Sequence, residues 1–319
     1  MTDLQMNARA WTLADRAVDQ AVEWRLAVST LASGARVIDA GVKAAGGFAA
    51  GRMLAELCMG GLGHVEYTSL TLGGEAWPGV LIWTDHPAPC CMASQYAGWA
   101  INVDGYFAMG SGPLRARARV EKELFEKLQY EEDADRGVLV LETRSLPTDE
   151  VAAWVAAKAG VKPEALTFAA APTASTAGGV QIVARVIETG LHKMDALGFD
   201  VTRVVTATGT APLPPTARSD MRAIGRTNDC VLYGGQARYT IDTDDETLAR
   251  LAERLPASAS ADYGTPFYEI FKRYDSDFYK IDPMLFSPAE VWLTSATSGK
   301  TFHAGATNVD VLRASLFER

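Results

Sequence analysis

The stretch GVLVLETRSLPTDEVAAWVAAKAGVKPEALTFAAAPTASTAGGVQIVARVIETGLHK (Gly137–Lys193) decides the fold class. It opens on a short apolar run, Gly137–Glu142, that reads as a strand. Pro147-Thr148-Asp149-Glu150 then has the form of a helix start, with Thr148 as the cap and Val151–Ala159 as the body. Gly160 closes that helix, and Leu166–Ala171 is a second apolar strand. Beyond the turn at Ala171–Thr176, one helix is predicted over Ser175–Leu197. Strand and helix alternate, which argues for an α/β arrangement.

Working outward, Trp11, Leu13, Ala14, Ala17, Val18, Ala21, Val22 and Leu26 recur at steps of three and four and predict a helix over Leu4–Leu31, ended by Ser33-Gly34. Arg36–Ala40 reads as a strand and Phe48–Met59 as a helix, stopped by Gly60-Gly61-Leu62-Gly63. Strands follow at Val65–Leu72 and Val80–Thr84, with turns at Gly73-Gly74 and Pro78-Gly79. A helix is predicted over Leu114–Leu128, with Pro113 at its start. Residues 85–113 and 208–229 carry little periodicity and read as long connections. Further strands are expected at Val201–Ala207, Cys230–Ile241, Val291–Ser295 and Thr301–His303, and helices at Asp244–Arg254 and Val309–Phe317. Asp262–Phe286 is aromatic and partly helical. Because strands also follow strands, the expected fold is α/β with mixed α+β character, in two lobes with a ligand cleft between them. The first lobe is expected over about 1–110 with C-terminal contributions and the second over about 111–260, with 261–319 packing on both.

The chain has 319 residues, 48% hydrophobic and 22% charged, which excludes a disordered or fibrous class. Its formal charge of −9 makes nucleic acid an unfavourable partner, although a local arginine pocket can still meet a small anion. The four cysteines, Cys58, Cys90, Cys91 and Cys230, do not form a secreted disulfide framework, so free thiols in a reducing cytoplasm are expected. The polar N-terminus lacks the apolar core of a signal peptide. No run approaches the ~18 apolar residues of a membrane span.

Several chemistries lack their motifs. Gly61-Leu62-Gly63 has Glu66 where a dinucleotide fingerprint needs its third glycine, and Gly299-Lys300-Thr301 has Thr294 where a phosphate loop needs its first. His64, His86, His192 and His303 show no metal-ligand spacing, so no metal is expected. There is no nucleophile elbow.

Three stretches could carry a site. In Gly178–Lys193, at the mouth of a strand-to-helix connection, the Ser175-Thr176 amides and Gly178-Gly179 allow close approach of a ligand. On one helix, Gln181, Arg185 and Glu188 would share a face at steps of four and three; the alternative is a salt-bridged surface stripe. In Ile224–Gly235, Arg226, Thr227, Asn228 and Asp229 place donors and acceptors side by side, either as a binding loop or as a polar turn before a strand. In Ser258–Asp282, Tyr263, Phe267 and Phe278 can cover a flat heterocycle or form core. Arg115, Arg117 and Arg119 read as a solvated helix flank or as partners of an anionic tail.

These stretches resemble methenyltetrahydromethanopterin cyclohydrolases. The resemblance rests on GSGPLRA (Gly110–Ala116), VLVLETRSLP (Val138–Pro147), APTASTAGGVQIVARVIETGLHK (Ala171–Lys193), LGFD (Leu197–Asp200), GRTNDCVLYGG (Gly225–Gly235) and DYGTPFYEIFKRYDSDFYKIDPMLFSPAEV (Asp262–Val291). It implies cofactor-free hydrolytic opening of the methenyl bridge of a pterin one-carbon carrier to the N5-formyl form. It also implies a two-lobed, homotrimeric enzyme with Arg185 and Glu188 tied to catalysis. The moderately acidic, Ala-rich composition points to bacterial one-carbon oxidation, and the carrier implied by the resemblance is tetrahydromethanopterin in its phosphorylated or dephospho form. Competing classes are a nicotinamide-linked pterin dehydrogenase, a non-catalytic pterin-binding protein and a folate-specific cyclohydrolase. The first lacks a dinucleotide site, the second has no use for Glu188 and Arg185, and folate cyclohydrolases do not resemble this chain.

Overall fold

The computed structural model describes residues 4–275 and 280–317. In chain order the first elements are α1 (Met6–Asp19), β1 (Ala27–Thr30), β2 (Arg36–Asp39), α2 (Phe48–Cys58), β3 (Gly63–Leu72) and β4 (Glu75–Thr84). A π-helical segment, Ala88–Gln95, leads to β5 (Trp99–Val103), β6 (Tyr106–Ser111), α3 (Leu114–Ala118), α4 (Lys122–Leu128), β7 (Gly137–Glu142), α5 (Asp149–Ala159) and β8 (Leu166–Ala171). Then come α6 (Thr176–Val183), α7 (Val186–Ala196), β9 (Val204–Pro212), α8 (Asp220–Gly234), β10 (Gln236–Ile241) and α9 (Asp245–Arg254). The last are α10 (Phe267–Arg273), β11 (Glu290–Ser295), β12 (Thr301–Gly305) and α11 (Val309–Phe317).

The chain forms two compact units, Met1–Gly63 with Pro89–Gln181, and His64–Ala88 with Ile182–Arg319. The first is built on a sheet in the order β1-β2-β8-β7-β6-β5. Its centre, β2-β8-β7, is parallel, and β1, β6 and β5 add antiparallel pairs. Val138 and Val140 pack with Ala10, Ala14, Leu54 and Leu57 of α1 and α2. Leu139 and Leu141 point the other way, among Val151, Val155 and Phe168. Burial on both faces explains why β7 and β8 are unbroken apolar runs rather than alternating ones. Each such side chain contributes roughly 1.5–3 kcal/mol. Thr148 caps α5 by accepting from the Val151 amide, and Gly160 ends it at φ 66°, as expected.

The second unit holds a sheet in the order β12-β11-β10-β9-β4-β3. Only its β10–β11 pair is parallel among the registers β4–β9, β9–β10, β10–β11 and β11–β12. Helices α7, α8 and α9 pack on this sheet, and α10 and α11 pack on α8. Ala237, Tyr239, Ile241, Val291 and Leu293 are buried, while their strand neighbours are partly or fully exposed. One face is covered and the other is not.

Several expectations are corrected. The first helix ends at Asp19; Ala27–Thr30 forms an antiparallel hairpin with β2 because β2 is a sheet member needing an edge partner. Pro78-Gly79 lies inside β4, where Gly79 pairs with Pro212. Residues 85–113 hold the β5–β6 hairpin, turned at Asp104-Gly105 with φ 49° and 82°. Leu114–Leu128 is two helices, broken at Arg119 with φ 49°. Residues 208–229 are mostly β9 and α8, and α8 covers the first residues of the expected strand Cys230–Ile241. A unit boundary near residue 110 would cut β6, and residues 261–317 belong to the second unit. The cause is non-local pairing: β4 joins β9 from more than a hundred residues away.

Candidate active site

The strand β8 ends at Ala171, and the chain turns through Pro172–Ser175 into α6. Ser175 shapes this turn: its Oγ donates to the Pro172 carbonyl (2.8 Å) and accepts from the Gly178 amide (3.0 Å). Thr173 Oγ1 donates to the Glu142 carboxylate at the end of β7. A Cβ on Gly178 would lie 2.1 Å from the Pro172 carbonyl oxygen. The close approach that Gly178 permits is therefore that of the chain's own turn, not of a ligand. Thr176 is the first residue of α6.

The single helix expected over Ser175–Leu197 is interrupted. Helix α6 stops at Val183, Ala184 and Arg185 form a turn, and α7 starts at Val186. Arg185 is the N-cap of α7, at φ −83° and ψ 6°, and Glu188 lies in its first turn. The four-residue step from Gln181 to Arg185 crosses this break, so those two do not lie on one continuous helical face. The three-residue step from Arg185 to Glu188 survives at the helix start. Gln181, Arg185 and Glu188 are 3%, 6% and 5% exposed, which excludes a solvated surface stripe. A carboxylate in the first turn is favoured by the unpaired amides and dipole of the helix.

Helix α7 is held tightly on its sheet. Tyr239 Oη donates to the Ile187 carbonyl at 2.9 Å, and a Cβ on Gly190 would meet that hydroxyl at 2.0 Å. Further along, the buried Lys193 Nζ donates to the carbonyls of Pro256 (2.7 Å) and Met284 (2.5 Å). Burial lowers the Lys193 pKa to about 8. The first turn of α7 therefore sits at the end of a firmly anchored element.

Arg226–Asp229 lie on α8, not on a turn before a strand. Ser219 caps this helix, and Ala223, Thr227, Cys230, Val231 and Gly234 give its buried stripe. Arg226 donates to the Pro215 and Thr216 carbonyls, Thr227 to Ala223, and Asn228 to Ile224. Asp229 is wholly buried and accepts from the Phe267 amide (2.8 Å) and the Ser315 hydroxyl. Burial pushes its pKa up to about 7. It ties α8 to α10 and α11, so its two oxygens are already engaged. Phe267 is also fully buried, its ring 5.8 Å from Phe271 and 5.7 Å from Phe286, and is core rather than a ligand cover. Tyr263 lies 5.0 Å from Tyr233 and lines a cavity of about 570 Å³ with Ser258, Thr307 and Asn308. Phe278 lies outside the described residues. Arg115 is neither a solvated flank nor free for an anion: it is buried, pairs with Glu121 at 2.6 Å and donates to the carbonyls of Met92 and Ala93.

The buried Arg–Glu pair at the start of α7, reached from an A-P-T-x-S turn, is the polar arrangement to be matched against known proteins. The family model described as Cyclohydrolase (MCH) matches residues 5–316. The chain belongs to the methenyltetrahydromethanopterin cyclohydrolase family. The methenyltetrahydromethanopterin cyclohydrolase of Methylobacillus flagellatus is 50% identical over 93% of this chain and 91% of its own length. That of Methanosarcina barkeri is 42% identical over 98% of both, and that of Methylobacterium organophilum is 46% identical over 97% of both.

Family membership agrees with the blocks quoted from the sequence, which run from Gly110 to Val291. Among the described residues no cluster of His, Cys, Asp and Glu is arranged to hold a metal ion. Among the same residues no helix is long and apolar enough to cross a membrane. What the cyclohydrolase arrangement offers chemically is a carboxylate and a guanidinium, both buried, at one helix start. Sequence reading missed the break at Ala184-Arg185, because Ala184, Val186 and Ile187 are compatible with unbroken helix.

Proposed function

We infer that this chain is a methenyltetrahydromethanopterin cyclohydrolase, opening the 5,10-methenyl bridge of a tetrahydromethanopterin carrier with water to give the N5-formyl form. The observation that carries this is the family match over residues 5–316. The methenyl bridge is a delocalised cation, so its carbon is already electrophilic. The protein has to position water and move protons.

Glu188 is assigned as the base. It takes one proton as the water oxygen bonds to the methenyl carbon, which discharges the ring cation and leaves a carbinolamine. The protonated Glu188 then delivers that proton to the aryl nitrogen as the carbon–nitrogen bond breaks. The carbinol hydroxyl loses its proton as the formyl carbonyl forms, so one proton is released per turnover. Arg185 is assigned to hold and orient the Glu188 carboxylate, and Gln181 to complete the hydrogen-bond frame. Ser175, Thr176, Arg226, Asn228 and Tyr263 are the remaining substrate-contact candidates whose side chains are not wholly buried. We further propose a homotrimer acting in the cytoplasm on a tetrahydromethanopterin carrier, phosphorylated or dephospho, without metal, cofactor, nucleic acid or membrane.

The test offers methenyl-tetrahydromethanopterin and methenyl-tetrahydrofolate in parallel, following loss of the methenyl absorbance. Activity on the first alone is expected. Turnover that changes nicotinamide absorbance instead would identify a dehydrogenase. Glu188→Gln keeps size and hydrogen bonding but removes the base, so kcat should fall by roughly 10²–10⁴-fold. Arg185→Lys should retain more rate than Arg185→Ala, since an ammonium keeps the charge without the planar fork. A folded Glu188→Gln protein with unchanged kcat would remove Glu188 from the mechanism.

A further inference from the structure

Helix α7 carries Arg185 and Glu188 at its start, yet its start is the end with the fewest local constraints. The break at Ala184-Arg185 parts it from α6, so it does not simply continue that helix. Its N-cap is an arginine, whose side chain has no lone pair to offer the first-turn amides. Val186, Ile187, Leu191 and Met194 are buried along its length, but apolar contact is non-directional. A hydrogen bond, by contrast, specifies both a distance and an angle. Lys193 supplies such bonds toward the far end of the helix. It is wholly buried, and its Nζ donates to the carbonyls of Pro256 at 2.7 Å and Met284 at 2.5 Å.

Those two carbonyls belong to stretches of chain that are themselves tied together. The Ala257 amide donates to the Pro288 carbonyl at 3.0 Å, and Ser260 Oγ donates to the Asp282 carboxylate at 2.6 Å. Asp282 also accepts from the Met284 amide at 3.0 Å, which fixes the turn Pro283–Leu285 that presents the Met284 carbonyl. The joined stretches form a seat along α7. Pro288 reaches the helix at Gly190, where an added Cβ would meet the proline Cδ at 3.4 Å, and Lys193 enters the seat roughly one turn further on. A buried ammonium is a costly way to fill this space. Burial holds Lys193 down at about 8, with Asp282 favouring the charge and Arg254 opposing it. A methionine of similar length would occupy the volume with no charge to desolvate. What methionine lacks is a pair of charge-assisted hydrogen bonds, which are roughly twice as strong as neutral ones. Glu188 lies five residues nearer the helix start, ~7.5 Å along the axis, so a shift at Lys193 is passed on to the carboxylate. A misplacement of ~1 Å can cost about 100-fold in rate.

We propose that Lys193 is a positioning residue for the hydrolysis: by pinning α7 to the Pro256 and Met284 carbonyls, it sets where the Glu188 carboxylate stands. This rests on the assignment of Glu188 as the base. Lys193 itself does not touch the reacting atoms and acts through the helix.

The test is steady-state kinetics of the full chain on methenyl-tetrahydromethanopterin. Wild type is compared with Lys193→Met, Lys193→Arg, Glu188→Gln and the variant carrying both Lys193→Met and Glu188→Gln, with circular dichroism to establish folding at the assay temperature. Lys193→Met should lower kcat about 10–100-fold while KM stays within about threefold. Lys193→Arg keeps a cation and its donors and should recover part of that loss. In the Glu188→Gln background the same Lys193→Met change should cost less than about threefold, because the carboxylate it places is gone. A merely structural role lowers the rate by the same factor in both backgrounds. Should Lys193→Met fail to fold, Lys193→Gln, neutral and one bond shorter but still a donor, runs the same cycle. A folded variant with wild-type kcat overturns the positioning role, and so does a loss that is equal with and without Glu188. A raised KM at unchanged kcat overturns it as well, since that is a change in binding. A wild type that leaves the methenyl substrate intact, or a Glu188→Gln protein with unchanged kcat, overturns instead the functional reading on which the proposal rests.

Discussion

Asp229→Asn replaces a buried carboxylate by an isosteric amide at the junction of α8, α10 and α11. Burial raises the Asp229 pKa from 3.8 to about 7, against smaller opposing contributions from the Ser315 hydroxyl and the Phe267 amide. The folded protein therefore binds a proton at this site between about pH 4 and pH 7 that the unfolded chain releases. Stability falls as pH rises through that window and is level above it. At ~1.36 kcal/mol per tenfold change in acidity, the ionised carboxylate costs about 4 kcal/mol at pH 8. The amide carries no charge at any pH, and its oxygen can still accept from the Phe267 amide while its nitrogen donates to Ser315. Asp229→Asn should thus be more stable than wild type at pH 8, by up to about 4 kcal/mol, and close to parity near pH 4. Urea unfolding of both proteins at pH 4, 6 and 8, with slopes compared to verify a common transition, measures the difference. A stability difference that does not change between pH 4 and pH 8 would refute the placement of a titrating carboxylate at this junction. A loss of stability that is larger at pH 8 than at pH 4 would mean that the charged hydrogen bonds outweigh burial.

Gly178→Ala should destabilise by about 1–3 kcal/mol, since its methyl meets the Pro172 carbonyl 2.1 Å away; thermal denaturation reads it, and an unchanged Tm would show that the turn can move. Protein stripped by chelator and checked by elemental analysis should keep its rate on the methenyl substrate; recovery of lost rate by one divalent ion would overturn the metal-free mechanism. Tyr239→Phe removes the donor to the Ile187 carbonyl and should cost about 0.5–1.5 kcal/mol of stability with a smaller effect on KM than on kcat, through the seating of α7. An unchanged kcat would separate the anchoring of α7 from the chemistry at its start.

Local chemistry was enough wherever an element's pattern and its punctuation agree. The runs of β7 and β8, the Thr148 cap and Gly160 stop of α5, and the bounds of α11 are all legible, because burial on both faces or a capped helix writes itself into consecutive residues. The Arg185–Glu188 spacing and the family blocks were equally plain. Some misses had a local signal that was overlooked. Asp104-Gly105 is a strong hairpin turn, and Ser219 with its downstream stripe marks α8. Others had none. Whether Ala27–Thr30 continues a helix or pairs with β2 depends on a strand partner supplied by the fold. The break that turns Arg185 into an N-cap lies among residues that are all helix-compatible, so local sequence carries no signal for it; in the folded chain α7 is tied to β10 through Tyr239. The same holds for Asp229 and Phe267. Their residue types allow either a binding loop or a core, and only tertiary packing, by burying both and satisfying the carboxylate from Phe267 and Ser315, decides for the core. A sequence records what each residue prefers among its neighbours, while the cost of an unpaired buried group depends on partners that only the folded chain brings within reach.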